Sequence, residues 1–167
     1  MKVFVIYDSK YGNTKLAAEN ILEGLKQVEG IDASIGYAKK VDIQELISYD
    51  ALILGAPNHM ANPSRTMKKF VEKLSELELK AKNAAVFGTY SGRSRNPDRA
   101  VKKLEKIVEK SLPNLKLLSP SLSIKVNGVT GPITQGELIK CIDFGKIKAT
   151  HLKIPYNTTE IINALPD

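Results

Sequence analysis

Short apolar runs alternate along the chain with longer stretches in which apolar residues recur at helical spacing. Residues 3–7 form an uninterrupted apolar run rich in β-branched and aromatic residues, which is typical of a strand buried on both faces. Comparable runs follow at 33–38, 51–56, 84–88 and 117–126, the last broken by a proline. Strands separated by helical segments in this way predict an α/β domain with a parallel sheet and helices on both faces.

The helical segments place the loops that could carry function. Asn62-Pro63 and Asn96-Pro97 each predict the start of a helix, because asparagine caps a helix well and proline is tolerated in its first turn. In open parallel sheets, ligands bind outside the carboxyl ends of the strands, where the chain order reverses. The candidate binding loops are therefore those after the first, third and fourth strands. We assign residues 1–150 to one domain and 151–167 to a tail packed on it.

Composition narrows the chemistry. The chain has 167 residues, one cysteine (Cys141) and two histidines, His59 and His151, which lie far apart in the sequence. No internal disulfide, thiolate cluster or histidine metal site is expected, so redox chemistry would need an organic cofactor. The apolar run at the start is too short for a signal segment, and no stretch is long enough to span a bilayer. We expect a cytoplasmic protein with no membrane partner.

The net charge of +7 favours anionic partners. Many of the lysines, however, alternate with glutamates along helical stretches such as residues 101–110, and this pattern is typical of a solvated helix face. We therefore do not expect a nucleic-acid partner.

The loop after the first strand, Ser9 to Thr14, carries hydroxyls, an amide side chain and a glycine directly before a helix. Backbone amides at the start of a helix bind anions, and Gly12 would allow a phosphate to approach closely. The same residues are also common in an ordinary strand-to-helix turn with a helix cap. The residue types alone leave both interpretations open.

The order of these residues resembles the phosphate loop of the flavodoxins, in which a Ser/Thr-x-x-Gly-Asn-Thr pattern follows the first strand. The resemblance extends over roughly residues 1–150 in strand spacing and loop placement. It implies a flavodoxin-like doubly wound five-stranded sheet of order 2-1-3-4-5 that holds FMN without a covalent bond. The residues it assigns to the FMN phosphate are Ser9, Lys10 through its backbone amide, Tyr11, Gly12, Asn13 and Thr14.

The resemblance also assigns the loop after the third strand to the inner face of the flavin ring. The residues in position are Pro57, Asn58, His59 and Met60, with His59 either stacked on the ring or simply exposed in the loop. Many flavodoxins have a glycine in this turn, whereas this chain has Met60-Ala61. Because a residue other than glycine resists positive φ, we expect weak stabilisation of the singly reduced flavin.

The loop after the fourth strand is assigned to the pyrimidine end and outer face of the ring. The residues in position are Thr89, Tyr90, Ser91, Gly92 and Arg93. Tyr90 is either the outer aromatic cover or the buried last residue of the strand.

Charge is a second departure from typical, acidic flavodoxins. Arg93, Arg95 and Arg99 follow one ring loop, and Arg65, Lys68 and Lys69 follow the other. Positive charge near the ring would stabilise its anionic form, and it suits redox partner proteins with acidic surfaces or a phosphate-bearing reductant such as a nicotinamide dinucleotide.

Three functions are compatible with these residues. The favoured function is an FMN-binding electron-transfer protein that shuttles electrons between redox partners, with no catalytic residue of its own. An alternative is a small FMN-dependent NAD(P)H:quinone or flavin reductase. A second alternative is a flavin-free interaction module on the same fold, because a fold does not fix a function. Whether the chain is an enzyme is left open.

Overall fold

A parallel sheet forms the centre of the computed structural model, which describes residues 1–154. Strand β1 pairs with β2 on one side and β3 on the other; β5 follows β3, and β6 and β7 both pair with β5 at the far edge. The short β4 pairs antiparallel with β3. The strands are β1 (Lys2–Tyr7), β2 (Asp32–Tyr37), β3 (Ala51–His59), β4 (Asn62–Pro63), β5 (Asn83–Ser91), β6 (Lys116–Leu117) and β7 (Leu122–Val126).

The predicted strand order is confirmed. The predicted fourth strand is β5, and the predicted fifth is the pair β6 and β7, interrupted around Pro120. Proline lacks the N–H that a sheet ladder needs, and this explains the break in the strand.

Helices cover both faces of the sheet. They are α1 (Asn13–Lys26), α2 (Arg65–Leu74), α3 (Arg99–Ser111) and α4 (Glu137–Lys153), and a 3₁₀ helix (Ile43–Ser48) joins β2 to β3. Side chains on β1 alternate between two cores, as the period of a strand requires. Val3 and Val5 pack with α1 and α4 in one core, while Phe4 and Ile6 pack with α2 and α3 in the other.

Two predicted boundaries differ from the structure. Asn62-Pro63 does not start a helix, because these residues form β4; α2 begins at Arg65, and the Ser64 hydroxyl oxygen caps it by accepting from the Met67 N–H at 3.3 Å. Similarly, α3 begins at Arg99, after the Asn96-Pro97 pair. The expected domain boundary at residue 150 falls inside α4, and the tail beyond residue 154 lies outside the described residues. Among residues 1–154, no helix has the length and apolarity needed to cross a membrane.

One side chain in α4 is unusual for its position. Lys148 is 1% exposed, and its ammonium nitrogen has no hydrogen-bond partner in the described part of the chain. The nitrogen lies 5.0 Å from the centre of the Phe144 ring. Burial lowers the pKa of Lys148 to about 8, and the carboxylate of Glu105 only partly opposes this effect. A charged Lys148 therefore destabilises the fold.

We expect Lys148→Met to raise the free energy of unfolding at neutral pH by about 3 kcal/mol, the equivalent of its pKa shift. Below pH 8 Lys148 is charged in both the folded and the unfolded chain, so Lys148→Met gives its full gain in stability. Between pH 8 and the ordinary pKa of 10.5 the folded chain loses the proton before the unfolded chain does, and the gain shrinks to zero. Urea unfolding across this pH range measures the difference between the two proteins.

The control is Lys146→Met, since Lys146 is exposed on the same helix. This change should leave stability within about 0.5 kcal/mol of the parent. If the gain at position 148 did not depend on pH, it would come from better packing of methionine and not from removal of a buried charge.

Candidate functional site

The three predicted loops meet at the carboxyl ends of β1, β3 and β5, around a cavity of about 290 Å³. Its lining contains most of the residues predicted from the sequence, and it adds two that were not predicted, Val126 and Val129. The predicted residues in the lining are Ser9, Lys10, Tyr11, Asn13, Thr14, Pro57, Asn58, His59, Met60, Thr89, Tyr90 and Ser91. Gly12, Gly92 and Arg93 do not line the cavity themselves, although they follow lining residues closely in the sequence.

The loop after β1 ends in an open helix terminus. Gly12 is the N-cap of α1, with a φ of 88°, and no side chain among residues 1–154 caps the helix. Ser9 instead folds back within the loop, its hydroxyl oxygen accepting from the Gly12 N–H at 3.0 Å. The first-turn amides of α1 are left for another acceptor, and the positive end of the helix favours an anion there.

A buried pair of hydroxyls joins this loop to β5. The Thr14 and Thr89 hydroxyl oxygens lie 2.8 Å apart, and the residues are 2% and 5% exposed. Each hydroxyl has a single proton. When Thr89 donates to Thr14, the Thr14 proton is available to a ligand in the cavity.

The side chain of Asn13 holds a further loop in place. Its amide nitrogen donates to the Thr130 carbonyl at 3.0 Å. Gly131 has a φ of 99°, and a Cβ at that position would lie 2.5 Å from the Asn13 amide oxygen, so only glycine fits. This loop after β7, which brings Val129 to the cavity, was not predicted from the sequence. Its signal was the run of turn-forming residues at 127–132, at the same edge of the sheet.

The loop after β3 is a tight hairpin. His59 pairs with Asn62, and the two residues between them, Met60 and Ala61, have φ values of 49° and 62°. Positive φ at both central residues is the requirement of a type I′ turn. Met60 and Ala61 therefore adopt positive φ although neither is glycine, at the steric cost that a Cβ imposes in this region.

Side-chain hydrogen bonds compensate for the missing glycine. The Ala61 N–H donates to the Asn58 side-chain oxygen at 2.8 Å, and the Asn62 amide donates to the Met60 carbonyl at 3.0 Å. Lys103 on α3 donates to the side-chain oxygen of Asn62 at 2.7 Å. Both ends of the Met60–Ala61 peptide are thus held by neighbouring asparagines, and the hairpin is attached to α3.

The aromatic candidates occupy different environments. His59 is exposed at the end of β3, where it lines the cavity from the hairpin side. Tyr90 is half-buried, and β5 continues past it to Ser91, so Tyr90 is not the last residue of the strand. Burial and the nearby Glu137 carboxylate raise the pKa of Tyr90, which keeps its hydroxyl protonated.

Sequence and structure comparisons identify the family. A sequence model of the flavodoxin family matches residues 5–115. The chain belongs to the flavodoxin family. It is 34% identical over 101 residues to a flavodoxin of Clostridium saccharobutylicum, an alignment covering 60% of this chain and 63% of that protein. It is also 34% identical over 94 residues to a flavodoxin of Aquifex aeolicus, covering 54% and 51%. The matched segment spans about half to two thirds of these relatives.

Solved flavodoxins have the same fold over most of the chain. An archaeal flavodoxin superimposes with a TM-score of 0.75 at 25% sequence identity, covering 92% of this chain and all of that one. Flavodoxin 1 from Bacillus cereus gives a TM-score of 0.72 at 22% identity, covering 93% of this chain.

Flavodoxins bind FMN, and the donors of this cavity suit that cofactor. The open end of α1 and the Thr14 hydroxyl provide neutral donors for a phosphate, and two further loops flank the space beside it.

We expect Ala61→Gly to stabilise the flavin-free protein, because glycine adopts a φ of 62° without steric strain. The expected gain in free energy of unfolding is about 1 kcal/mol, measured by urea unfolding. Ala61→Val is the matched opposite change and should destabilise, since a β-branched residue tolerates positive φ poorly. Equal stability of the two variants would mean that residue 61 does not have a positive φ in solution.

Proposed function

We propose that this chain binds one FMN in the cavity between the three loops and passes electrons between redox partner proteins. The observation that carries the proposal is the uncapped start of α1, which opens beside the same cavity as the hairpin and the end of β5. FMN, when bound, supplies the electron-transfer chemistry. The protein supplies orientation, shielding from water and the electrostatic field around the ring.

Neutral donors are proposed to bind the phosphate. The backbone amides of Lys10, Tyr11, Asn13 and Thr14 and the hydroxyls of Ser9, Tyr11 and Thr14 are assigned to the phosphate. The Gly12 N–H donates to Ser9, and the missing side chain of Gly12 keeps the approach open. The Lys10 ammonium lies 5.3 Å from the centre of the Tyr11 ring, so in this arrangement Lys10 acts through its backbone. Neutral donors at a helix terminus position a phosphate by geometry, and the helix dipole adds the favourable charge.

The ring is proposed to lie between the hairpin and the end of β5. Pro57, Asn58, His59 and Met60 form one wall, and Thr89, Tyr90 and Ser91 form the other. Gly92 acts through the backbone, since its N–H donates to the Val126 carbonyl at 2.8 Å and ties the turn after β5 to β7. Arg93 in that turn is exposed and contributes charge at the rim.

Partner proteins with acidic surfaces are proposed from the charges on the two helices that follow the ring loops. The basic residues of α2 are Arg65, Lys68, Lys69 and Lys73, and those of α3 are Arg99, Lys102, Lys103, Lys106 and Lys110. Neither helix has an acidic residue in its first turn. Such a field steers negatively charged partners toward the ring edge and favours the reduced, anionic flavin. A cytoplasmic location stays a prediction.

A second candidate function is an FMN-dependent reductase that takes electrons from a reduced nicotinamide nucleotide. The observation that favours it is a larger cavity of about 880 Å³ that shares a wall with the proposed FMN cleft and is lined by basic side chains. Rapid bleaching of the bound flavin by NADPH alone would favour this function over that of a carrier.

We expect FMN to bind with one molecule per chain and riboflavin to bind at least tenfold more weakly, because riboflavin lacks the phosphate. Thr14→Val should weaken FMN binding by about 1–3 kcal/mol through loss of a phosphate donor, and should barely change riboflavin binding. Fluorescence titration of the flavin-free protein gives both affinities.

Thr14→Ser is the control, since it keeps the hydroxyl and should retain most of the FMN affinity. Equal affinity for the two flavins would remove the Ser9–Thr14 loop from the phosphate site. If Thr14→Val weakened the binding of FMN and riboflavin equally, the role of Thr14 would be structural, through its hydrogen bond with Thr89.

We expect His59→Ala to weaken FMN binding by about threefold to tenfold, as the loss of one aromatic contact does, and to alter the absorption spectrum of the bound flavin. The matched control is His151→Ala, which removes the exposed histidine near the end of α4. Absorption spectra and titrations of both variants make the comparison. Unchanged affinity and spectrum in His59→Ala would leave this residue as an exposed loop histidine.

A further inference from the structure

The cavity of about 880 Å³ beside the proposed FMN cleft is built by four separate segments. These are the residues after β1, the end of β2, the hairpin after β3 and the first turn of α2. Ser9, Lys10, Pro57, His59 and Met60 line both this cavity and the smaller one. A ligand in the larger cavity would therefore lie directly against the segments assigned to FMN without occupying the start of α1.

Positive charge dominates this second cavity. Lys10, Lys39, Arg65 and Lys68 line it, and Asp8 is the one carboxylate that residues 1–154 contribute to the lining. Within residues 1–154 none of these four basic residues forms a salt bridge, since the salt bridges there involve Lys15, Lys80 and Lys140. Four cationic groups that form no salt bridge within residues 1–154, placed around one concave space, favour a multiply charged anion.

Two other residues of the lining carry groups that the binding of a phosphate alone would not need. Tyr37 contributes an aromatic ring, held by stacking on Tyr7 at 5.7 Å between ring centres with the planes inclined by 21°. Asp8 is 8% exposed and presents a carboxylate beside the basic groups. Aromatic rings stack on nucleobases, and a carboxylate accepts hydrogen bonds from sugar hydroxyls.

We propose that this cavity binds a nucleoside diphosphate. The diphosphate is held by Lys39, Arg65 and Lys68 near the start of α2, the sugar hydroxyls donate to Asp8, and the base packs against Tyr37. The same chemical group occurs in a free nucleotide and in a nicotinamide dinucleotide. With a dinucleotide, the second half of the molecule extends across the shared wall toward the FMN cleft.

A second basic cavity on the same protein allows the effect of charge alone to be tested. The start of α3 contributes to a cavity of about 530 Å³ lined by five basic residues, Arg95, Arg99, Lys102, Lys103 and Lys106. Among the residues that the structure describes, that cavity has no aromatic side chain in its lining and shares no residue with the proposed FMN cleft. It therefore provides a matched control for the effect of charge.

The test is calorimetric titration of the FMN-loaded full chain at low salt with ADP, pyrophosphate and adenosine. We expect one ADP per chain, pyrophosphate at least tenfold weaker, and adenosine weaker still. The double variant Arg65→Gln and Lys68→Gln should lose at least tenfold in ADP affinity, while Lys102→Gln with Lys106→Gln should stay within twofold. Tyr37→Leu should weaken ADP and leave pyrophosphate unchanged.

Several outcomes would overturn the proposal. No ADP binding, equal affinities for ADP and pyrophosphate, or equal losses in the two double variants would each reduce the cavity to nonspecific attraction of anions. Displacement of FMN by ADP would show that the nucleotide uses the FMN phosphate loop instead.

Titration with NADPH distinguishes a free nucleotide from a nicotinamide dinucleotide as the ligand. Binding tighter than that of ADP, followed by bleaching of the flavin, indicates a dinucleotide; binding no tighter than that of ADP, without bleaching, indicates a free nucleotide. The inference rests on the proposed function only in that FMN fills the neighbouring cleft. Repeating the ADP titration on flavin-free protein distinguishes the two failures, because a chain that bound ADP but not FMN would contradict the proposed function alone.

Discussion

Burial of both faces of β1 fixes where the loops of the candidate site lie. Val3 and Val5 are covered by α1 and α4, while Phe4 and Ile6 are covered by α2 and α3. Since each face needs its own helices, the chain leaves β1 toward one face and β3 toward the other. A crevice opens between the loops that leave β1 and β3, at the carboxyl edge of the sheet. The start of α1 opens on one part of this crevice and the start of α2 on another, so one packing requirement creates both cavities.

The sequence predicts those parts of the protein that depend on local signals. Continuous apolar strands and the order of residues in Ser9–Thr14 are sufficient for the fold and the first loop, because each signal is contained in a few neighbouring residues. The loop after β7 was missed because its link to the site is the bond from Asn13 to Thr130, residues far apart in the chain. The larger cavity has no sequence signature, since its lining comes from four separate segments.

The hairpin shows what a prediction from one residue type leaves out. Met60 and Ala61 lack the glycine that usually permits positive φ, and a rule about single residues predicts that they avoid it. The turn depends on its neighbours instead: two asparagines bond to the peptide between them, and pairing of β3 with β4 fixes the register. The left-handed conformation of Met60 and Ala61, with the strain that it carries, is part of the folded hairpin. Weak stabilisation of the singly reduced flavin stays a prediction.

Two forms of anion recognition are proposed for this protein, and they act over different distances. Hydrogen bonds from the amides at the start of α1 act only at contact, so they position a phosphate and are little affected by salt. The basic residues of α2 and α3 act over about 8 Å at physiological ionic strength and weaken as salt increases. Since the proposed phosphate loop relies on amides and hydroxyls, the lysines and arginines are not needed to retain the cofactor. On this proposal they are available to attract a partner or a second ligand, and we expect that attraction to weaken more with salt than retention of the flavin does.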